Sequence, residues 1–295
     1  MANPEVTRVP EPSYQHVLVP LDGSELADAA MPWAQPLAAC FGADVQTISV
    51  ADGDDETERL RLHVAELLGT DADDERIHVV VGGDPPAEIG RLSAELGSCL
   101  VCLSTRGRGR IGGAAVGSVA RSLMLRTGEP VVAVGRSANR SASLTRRGPT
   151  AQTRDRIVAC VDGQPPAESI VGVAAAWADA LDMSLTVVTV AEPSPAPDRD
   201  DVPWRRSHGP SQDADAYMSE LAARWDDVAP DMNAVAVYDP INPASGLQAW
   251  LKEHPAGLLA VTTHARSGLG RVVLGATAAA IVRVSPVPVL VVPLR

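Results

Sequence analysis

The residues able to do chemistry are concentrated in one run of the chain. Ser104, Thr105, Arg106, Gly107, Arg108, Gly109, Arg110, Gly112, Gly113, Gly117 and Ser118 combine five glycines, three arginines and three hydroxyls. Glycines let backbone N–H groups approach an anion, the arginines add positive charge, and Gly117-Ser118 opens a helix whose N-terminal end favours negative charge. A di- or triphosphate suits such a loop, and a flexible glycine loop with solvated arginines is the alternative. Far upstream, Asp22 precedes Gly23 and Ser24. Its carboxylate can accept from a ribose hydroxyl or an exocyclic amine, whereas capping of the following helix is the competing use of Asp22 and Ser24.

Other chemistries are poorly provided for. Lys252 is the one lysine of the chain, which removes a GxxxxGK[ST] phosphate loop and leaves no other residue for Schiff-base work. A G-x-G-x-x-x-G pattern also suggests a dinucleotide site, but that fingerprint follows the first strand of its unit, and this loop follows the fourth. Cys99 and Cys102 form a C-x-x-C pair inside an apolar run that reads as a buried strand, where residues three apart face opposite ways. Cys40, Cys160 and the six histidines (16, 63, 78, 208, 254 and 264) show no metal spacing, so no metal site is expected. No second carboxylate is readable beside the glycine loop to hold Mg²⁺ or activate water. No catalytic residue is therefore assigned: the expectation is a binding protein, with slow ATP hydrolysis left open.

Composition sets the frame. A length of 295 residues is a prior for two domains. A net charge of −12 is the wrong sign for a protein whose partner is a phosphate backbone, so no nucleic acid is expected. The apolar stretch 284–294 is interrupted by prolines and too short for a bilayer. Residues 1–12 carry Glu5, Arg8 and Glu11 and no apolar run, so they read as a tail, not a signal peptide, and the cytoplasm is the expected location.

The elements that must position the loop occur twice. His16-Val-Leu-Val-Pro-Leu-Asp-Gly23 matches Arg156-Ile-Val-Ala-Cys-Val-Asp-Gly163 at an offset of 140, which also carries 45–51 onto 185–191. Later segments match at 158: Asp84 with Asn242, Leu100 with Leu258, Gly117 with Gly275, and Pro130 with Pro288. The difference is an insertion placed at 193–210, proline-rich and charged. Short apolar runs alternating with amphipathic ones predict a parallel β-α-β sheet in each half. Strands are expected near 16–21, 45–50, 76–82, 99–104 and 131–135, with helices near 24–41, 57–68, 86–96 and 114–126. The second half should place strands near 156–161, 185–190, 232–238, 257–262 and 288–292. Two α/β, doubly wound, Rossmann-like domains follow, each a five-stranded parallel sheet with helices on both faces. Their bounds are 13–136 and 154–295, separated by an Arg/Ser-rich linker at 137–153. Ligands of such sheets lie beyond the strands' carboxyl ends.

With these residues in view, the sequence resembles the universal stress protein family in its tandem two-domain form, over essentially the whole chain. The family's ATP signature, G-x2-G-x9-G-[ST], is met by Gly107 and Gly117-Ser118, with Ser104 in place of the first glycine. The resemblance implies ATP, with or without Mg²⁺. Adenine and ribose would lie against Pro20, Asp22, Val50, Leu103 and Ser104, and the phosphates would meet Gly107, Gly117, Ser118 and Val119. In the second half the counterparts are Asp162, Val190, Val261, Thr262 and Gly275, with Thr277 as a substitute hydroxyl. Thr262 and Ala265 replace two glycines there, Ala276 replaces the serine, and Gln164 replaces Ser24, so a weaker second site is expected. Arg266 and Arg271 keep some positive charge near that loop. The resemblance also implies pairing of two such domains, satisfied within one chain or by a homodimer. A stress-response or signalling regulator is the favoured role. A nucleotide-independent scaffold built on the last strands, 130–134 and 287–293, and a cyclic-AMP binder are the alternatives.

Overall fold

The computed structural model describes Val6 and residues 9–107, 116–126, 128–138, 155–191, 214–239, 242–265 and 272–293. The expected insertion at 193–210, nearly all of the expected linker, and Arg108, Gly109, Arg110, Gly112, Gly113, Arg266 and Arg271 lie outside these residues. The first repeat comprises β1 (His16–Pro20), α1 (Glu25–Asp28), α2 (Met31–Phe41), β2 (Asp44–Ala51) and α3 (Asp54–Leu68). It continues with β3 (Ile77–Val81), α4 (Pro85–Leu96), β4 (Cys99–Ser104), α5 (Ser118–Arg126) and β5 (Val131–Val134). The second comprises β6 (Arg156–Val161), α6 (Pro165–Glu168), α7 (Ile170–Leu181), β7 (Ser184–Ala191), α8 (Ala214–Trp225), β8 (Asn233–Tyr238) and α9 (Pro243–Glu253). After β9 (Leu258–Thr262) come a short hairpin of β10 (His264–Ala265) and β11 (Val272–Val273), then α10 (Ala276–Val284) and β12 (Val289–Val292). Among the described residues no helix is long and apolar enough to cross a membrane.

Strand periodicity builds the two faces of the sheet. Val17 and Val19 of β1 enter one apolar cluster, and Leu18 enters the other. In β4, Leu100 and Cys102 join the first, with Val101 and Leu103 in the second. Cys99 packs against the second cluster, so the C-x-x-C thiols sit on opposite faces of the sheet, as the period of two requires. Helices α2, α3, α7 and α8 cover the first face, while α4, α5, α9 and α10 cover the second.

Two local expectations change. The helix expected over 24–41 is broken into α1 and α2. Pro32 has no N–H to donate back to Asp28, and the helix restarts with that proline in its first turn. The second repeat breaks at the matching Ser169 without such a proline, so packing also favours the break. At both breaks an acidic residue is tied to the next long helix. His63 Nε2 lies 3.1 Å from an Asp28 carboxylate oxygen, and buried Glu168 meets Arg224 at 2.9 Å and the Tyr217 hydroxyl at 3.1 Å. The second change concerns the extra residues of the second repeat. Val50 pairs with Val80 and Val190 with Val237, so β8 falls one residue short of the 158 offset. One extra residue therefore belongs between β8 and α9, not in the long insertion.

The two sheets are one. Strands follow the order β3-β2-β1-β4-β5-β12-β9-β6-β7-β8, parallel throughout except at the centre, where β5 and β12 run antiparallel with Val131 opposite Val291 and Ala133 opposite Val289. Every residue of both central strands is buried. Left apart, each would expose an apolar, unpaired edge whose backbone groups need partners. Above this seam Tyr14, Phe41 and Trp177 meet, with Phe41 edge-on to Trp177 at 5.4 Å and to Tyr14 at 5.1 Å. The chain's single phenylalanine thus lies in a knot between repeats. Gly135, just past β5, runs so close to the Val282 carbonyl near the end of α10 that a Cβ there would overlap it.

Removing the Trp177 ring should therefore cost both its burial and the seam. Trp177→Ala is expected to lower stability by about 3–5 kcal/mol, read as a shift of the urea midpoint. A second expectation concerns alkali. Burial pushes the Cys102 thiol up to about 12 from 9.0, and burial, then nearby Glu129 and Cys99, raise the Tyr14 phenol. Above pH 9 the unfolded chain gives up protons that the native state keeps, so stability should fall as pH rises from about 9 towards 12. The slope is up to ~1.4 kcal/mol per pH unit for each such group. Urea midpoints at stepped alkaline pH check this, and Cys102→Ala should flatten the slope.

Candidate functional site

Strand order reverses beside β1, which has β2 on one side and β4 on the other, so the loops leaving β1 and β4 diverge and open a crevice at the strands' carboxyl ends. Six of the first-repeat candidates sit on this edge. Pro20 ends β1 and Ser104 ends β4, Val50 is the penultimate residue of β2, and Leu103 is buried beneath. Asp22 follows β1 after Leu21, whose N–H donates to the Ile48 carbonyl at 2.9 Å. Gly107 meets the Asp22 side chain across the crevice. Gly117, Ser118 and Val119 form the entry to α5 on the far side of the loop.

The Asp22 carboxylate is held firmly. Its Oδ1 accepts from the Ser24 N–H at 3.0 Å and from the Ser24 hydroxyl at 2.5 Å. The same hydroxyl oxygen accepts from the Ala27 N–H at 3.3 Å, capping α1. Gly23 makes the turn in the left-handed region, with φ 74°. Oδ2 is thereby directed at Gly107, where a Cβ would overlap it. Gly107 itself has no positive φ. Its value is room for a carboxylate, a need that no sequence spacing reveals.

At the other end of the loop, Gly117 donates its N–H to the Thr105 carbonyl at 2.8 Å, and a Cβ on Gly117 would stand 3.2 Å from that oxygen. The amide of this glycine is thus engaged in clamping the loop. The donors at the entry to α5 are the amides of Ser118 and Val119, which by helix geometry have no intrahelical partner. Thr105 was read as a source of a hydroxyl, but its side chain is buried and its backbone does the binding, the N–H donating to Val134 at 2.9 Å. Thr263 repeats that bond to Val292 at 2.9 Å, which the 158 offset alone could have shown. Ser104, where the resemblance expects glycine, turns its hydroxyl back to accept from the Arg106 N–H at 3.3 Å.

The second crevice brings its candidates to the matching edge in different condition. Asp162 follows β6 and accepts from the Gln164 N–H at 2.9 Å. Val261 and Thr262 are buried at the end of β9, Gly275 precedes α10, and Thr277 is exposed in its first turn. Beside Val190, sequence reading missed a residue. A Cβ on Gly246 of α9 would stand 2.6 Å from the Asp239 Cβ and 2.8 Å from Val190 Cγ1, so Asp239 and the valine that matches Val50 both crowd Gly246. The first repeat has Gly82 at that place, bonded to Ala51 as Asp239 is to Ala191. Among the described residues no group of His, Cys, Asp and Glu could hold a metal ion.

Comparison with known proteins agrees with this architecture. The sequence model of the universal stress protein family matches residues 13–135 and again 153–293. The chain is 27% identical over 305 aligned positions to universal stress protein Rv2005c of Mycobacterium tuberculosis, covering 95% of this chain and 98% of that one. Among solved structures it resembles a universal stress protein from Archaeoglobus fulgidus (TM-score 0.66, 16% identity, 95% and 99% of the two chains). It also resembles a protein of unknown function from Pseudomonas aeruginosa (TM-score 0.60, 16% identity, 96% and 94%). Two family matches in tandem, covering most of the sequence and laid over two copies of one fold, place this chain in the universal stress protein family.

Proposed function

We propose that the first-repeat crevice binds an adenine nucleotide, ATP foremost, and that occupancy regulates the protein's interactions instead of feeding a reaction. The carrying observation is the opposition of charge across the crevice. Asp22, an acceptor, faces the loop from β1, while the amides of Ser118 and Val119 and the positive end of α5 face it from beyond β4. A ligand that fits both must present donors at one end and negative charge at the other. A nucleoside phosphate does so, with its sugar or amine at Asp22 and its phosphates at α5.

Family membership supports the same reading, because the residues that the ATP signature assigns are the ones that line this crevice. Val50 and Leu103 supply apolar surface for a base. Mg²⁺ would arrive with the phosphates, since no set of protein ligands for it is present among the described residues. We assign no catalytic group. A nucleotide that binds only one of two interaction states favours that state by about 2.7 kcal/mol at a hundred times its Kd.

The second crevice is the weaker one in this reading. Ala276 stands where Ser118 stands, and Asp239 places a carboxylate where the first repeat has glycine. A cyclic nucleotide, with one phosphate charge in place of several, uses the α5 entry less fully.

Denaturing freshly purified protein and quantifying released adenine nucleotide should give about one per chain. None released, and none bound on titration with Mg-ATP, would reject the reading. A glutamate at Gly117 also presses on the Thr105 carbonyl, so Ser118 is the better test position. Ser118→Glu puts a carboxylate at the entry to α5, where it suits the helix but repels phosphate. It should weaken ATP binding by at least ~10-fold in calorimetry while the melting temperature without nucleotide holds or rises.

A further inference from the structure

We propose that Ser24 is a positioning residue that sets selectivity for a ribose hydroxyl at this site, acting through Asp22. The inference rests on the nucleotide reading above and adds to it which sugars the crevice takes.

A carboxylate has no proton to give, so whatever seats on Asp22 must be a donor, and a phosphate is repelled from it. In a nucleotide whose phosphates lie at α5, the nearest donors to Asp22 are the 2′- and 3′-hydroxyls. The strength of such a bond depends on where the carboxylate oxygens point. Asp22 has two rotatable side-chain bonds, and Ser24 restrains them by giving both its N–H and its hydroxyl to Oδ1 at 3.0 and 2.5 Å. Ser24 is itself locked, because its oxygen also caps α1 by accepting from Ala27. Oδ2 then lies against Gly107, on the loop that leaves β4. Preorganisation of this kind lowers the entropy that binding must otherwise overcome.

The second repeat supplies an internal contrast. Asp162 is retained, but the residue at the place of Ser24 is Gln164, which gives it a backbone N–H and has no hydroxyl to add. Ser24 also answers why Gly107 must be glycine: a carboxylate free to turn could move aside for a Cβ, and one pinned at Oδ1 cannot. Gly107→Ala should thus force Asp22 off Ser24 and mimic loss of the hydroxyl.

The test titrates ATP and 2′,3′-dideoxy-ATP into the full chain and its Ser24→Ala, Ser24→Thr and Gly107→Ala variants. Wild type should prefer ATP. Ser24→Ala should weaken ATP about 10-fold and leave dideoxy-ATP nearly unchanged, collapsing the preference. Ser24→Thr, which keeps the hydroxyl, should restore it, and Gly107→Ala should lower the ratio of ATP to dideoxy-ATP affinity whatever it does to both. Loss of the cap alone would lower the melting temperature of Ser24→Ala without altering the ratio of the two affinities, and that result overturns the proposal. An unchanged ATP affinity in folded Ser24→Ala overturns it too, leaving the nucleotide reading intact. If wild type binds neither nucleotide, both fall. A normal ATP affinity with no preference over dideoxy-ATP rejects the sugar inference alone.

Discussion

Everything else in this molecule depends on one antiparallel pairing in an otherwise parallel sheet. Parallel β-α-β units grow by adding strands at an edge, and in each repeat growth stops at a fully apolar four-residue strand. Such a strand cannot face water on its open side. Joining β5 to β12 satisfies both edges at once and turns two five-stranded sheets into one of ten. The helices nearest the seam then have to meet. Trp177 and Phe41 fill the space on one face, and Gly135 lets the backbone approach α10 near the other. The crevices sit away from this seam, at the strand-order reversals beside β1 and β6, so they inherit a rigid base without being part of it.

Within the crevice, three glycines have distinct physical tasks. Gly23 supplies a left-handed turn, Gly107 supplies space for a carboxylate, and Gly117 allows a backbone carbonyl to come close while its own amide closes the loop. This division explains why one substitution in the signature, Ser104, is compatible with the geometry. Its side chain folds back on the loop's own backbone at Arg106.

Much of the fold was legible because its signals are local and periodic. Val17, Leu18 and Val19 announce a strand buried on both faces, and the offsets of 140 and 158 announce a second copy. What escaped was set by contacts distant in sequence. The break between α1 and α2 is marked by Pro32, yet the same break at Ser169 has no local mark and answers to packing. The candidate site was legible as a set of positions and not as a set of roles. That Asp22 lies against Gly107, and that Asp239 and Val190 both crowd Gly246, is invisible in the sequence.

The seam between β5 and β12 has a further consequence because its two strands belong to one polypeptide. Two separate chains sharing such a contact would come apart on dilution and would meet again at a rate set by their abundance. Here the partner is always tethered, so the effective concentration of one half around the other is fixed by chain length and not by expression level. Tethering also frees the halves from sameness. In an assembly of identical subunits every substitution appears in both crevices, whereas here the two can differ, as Gln164, Asp239 and Ala276 do from Ser24, Gly82 and Ser118.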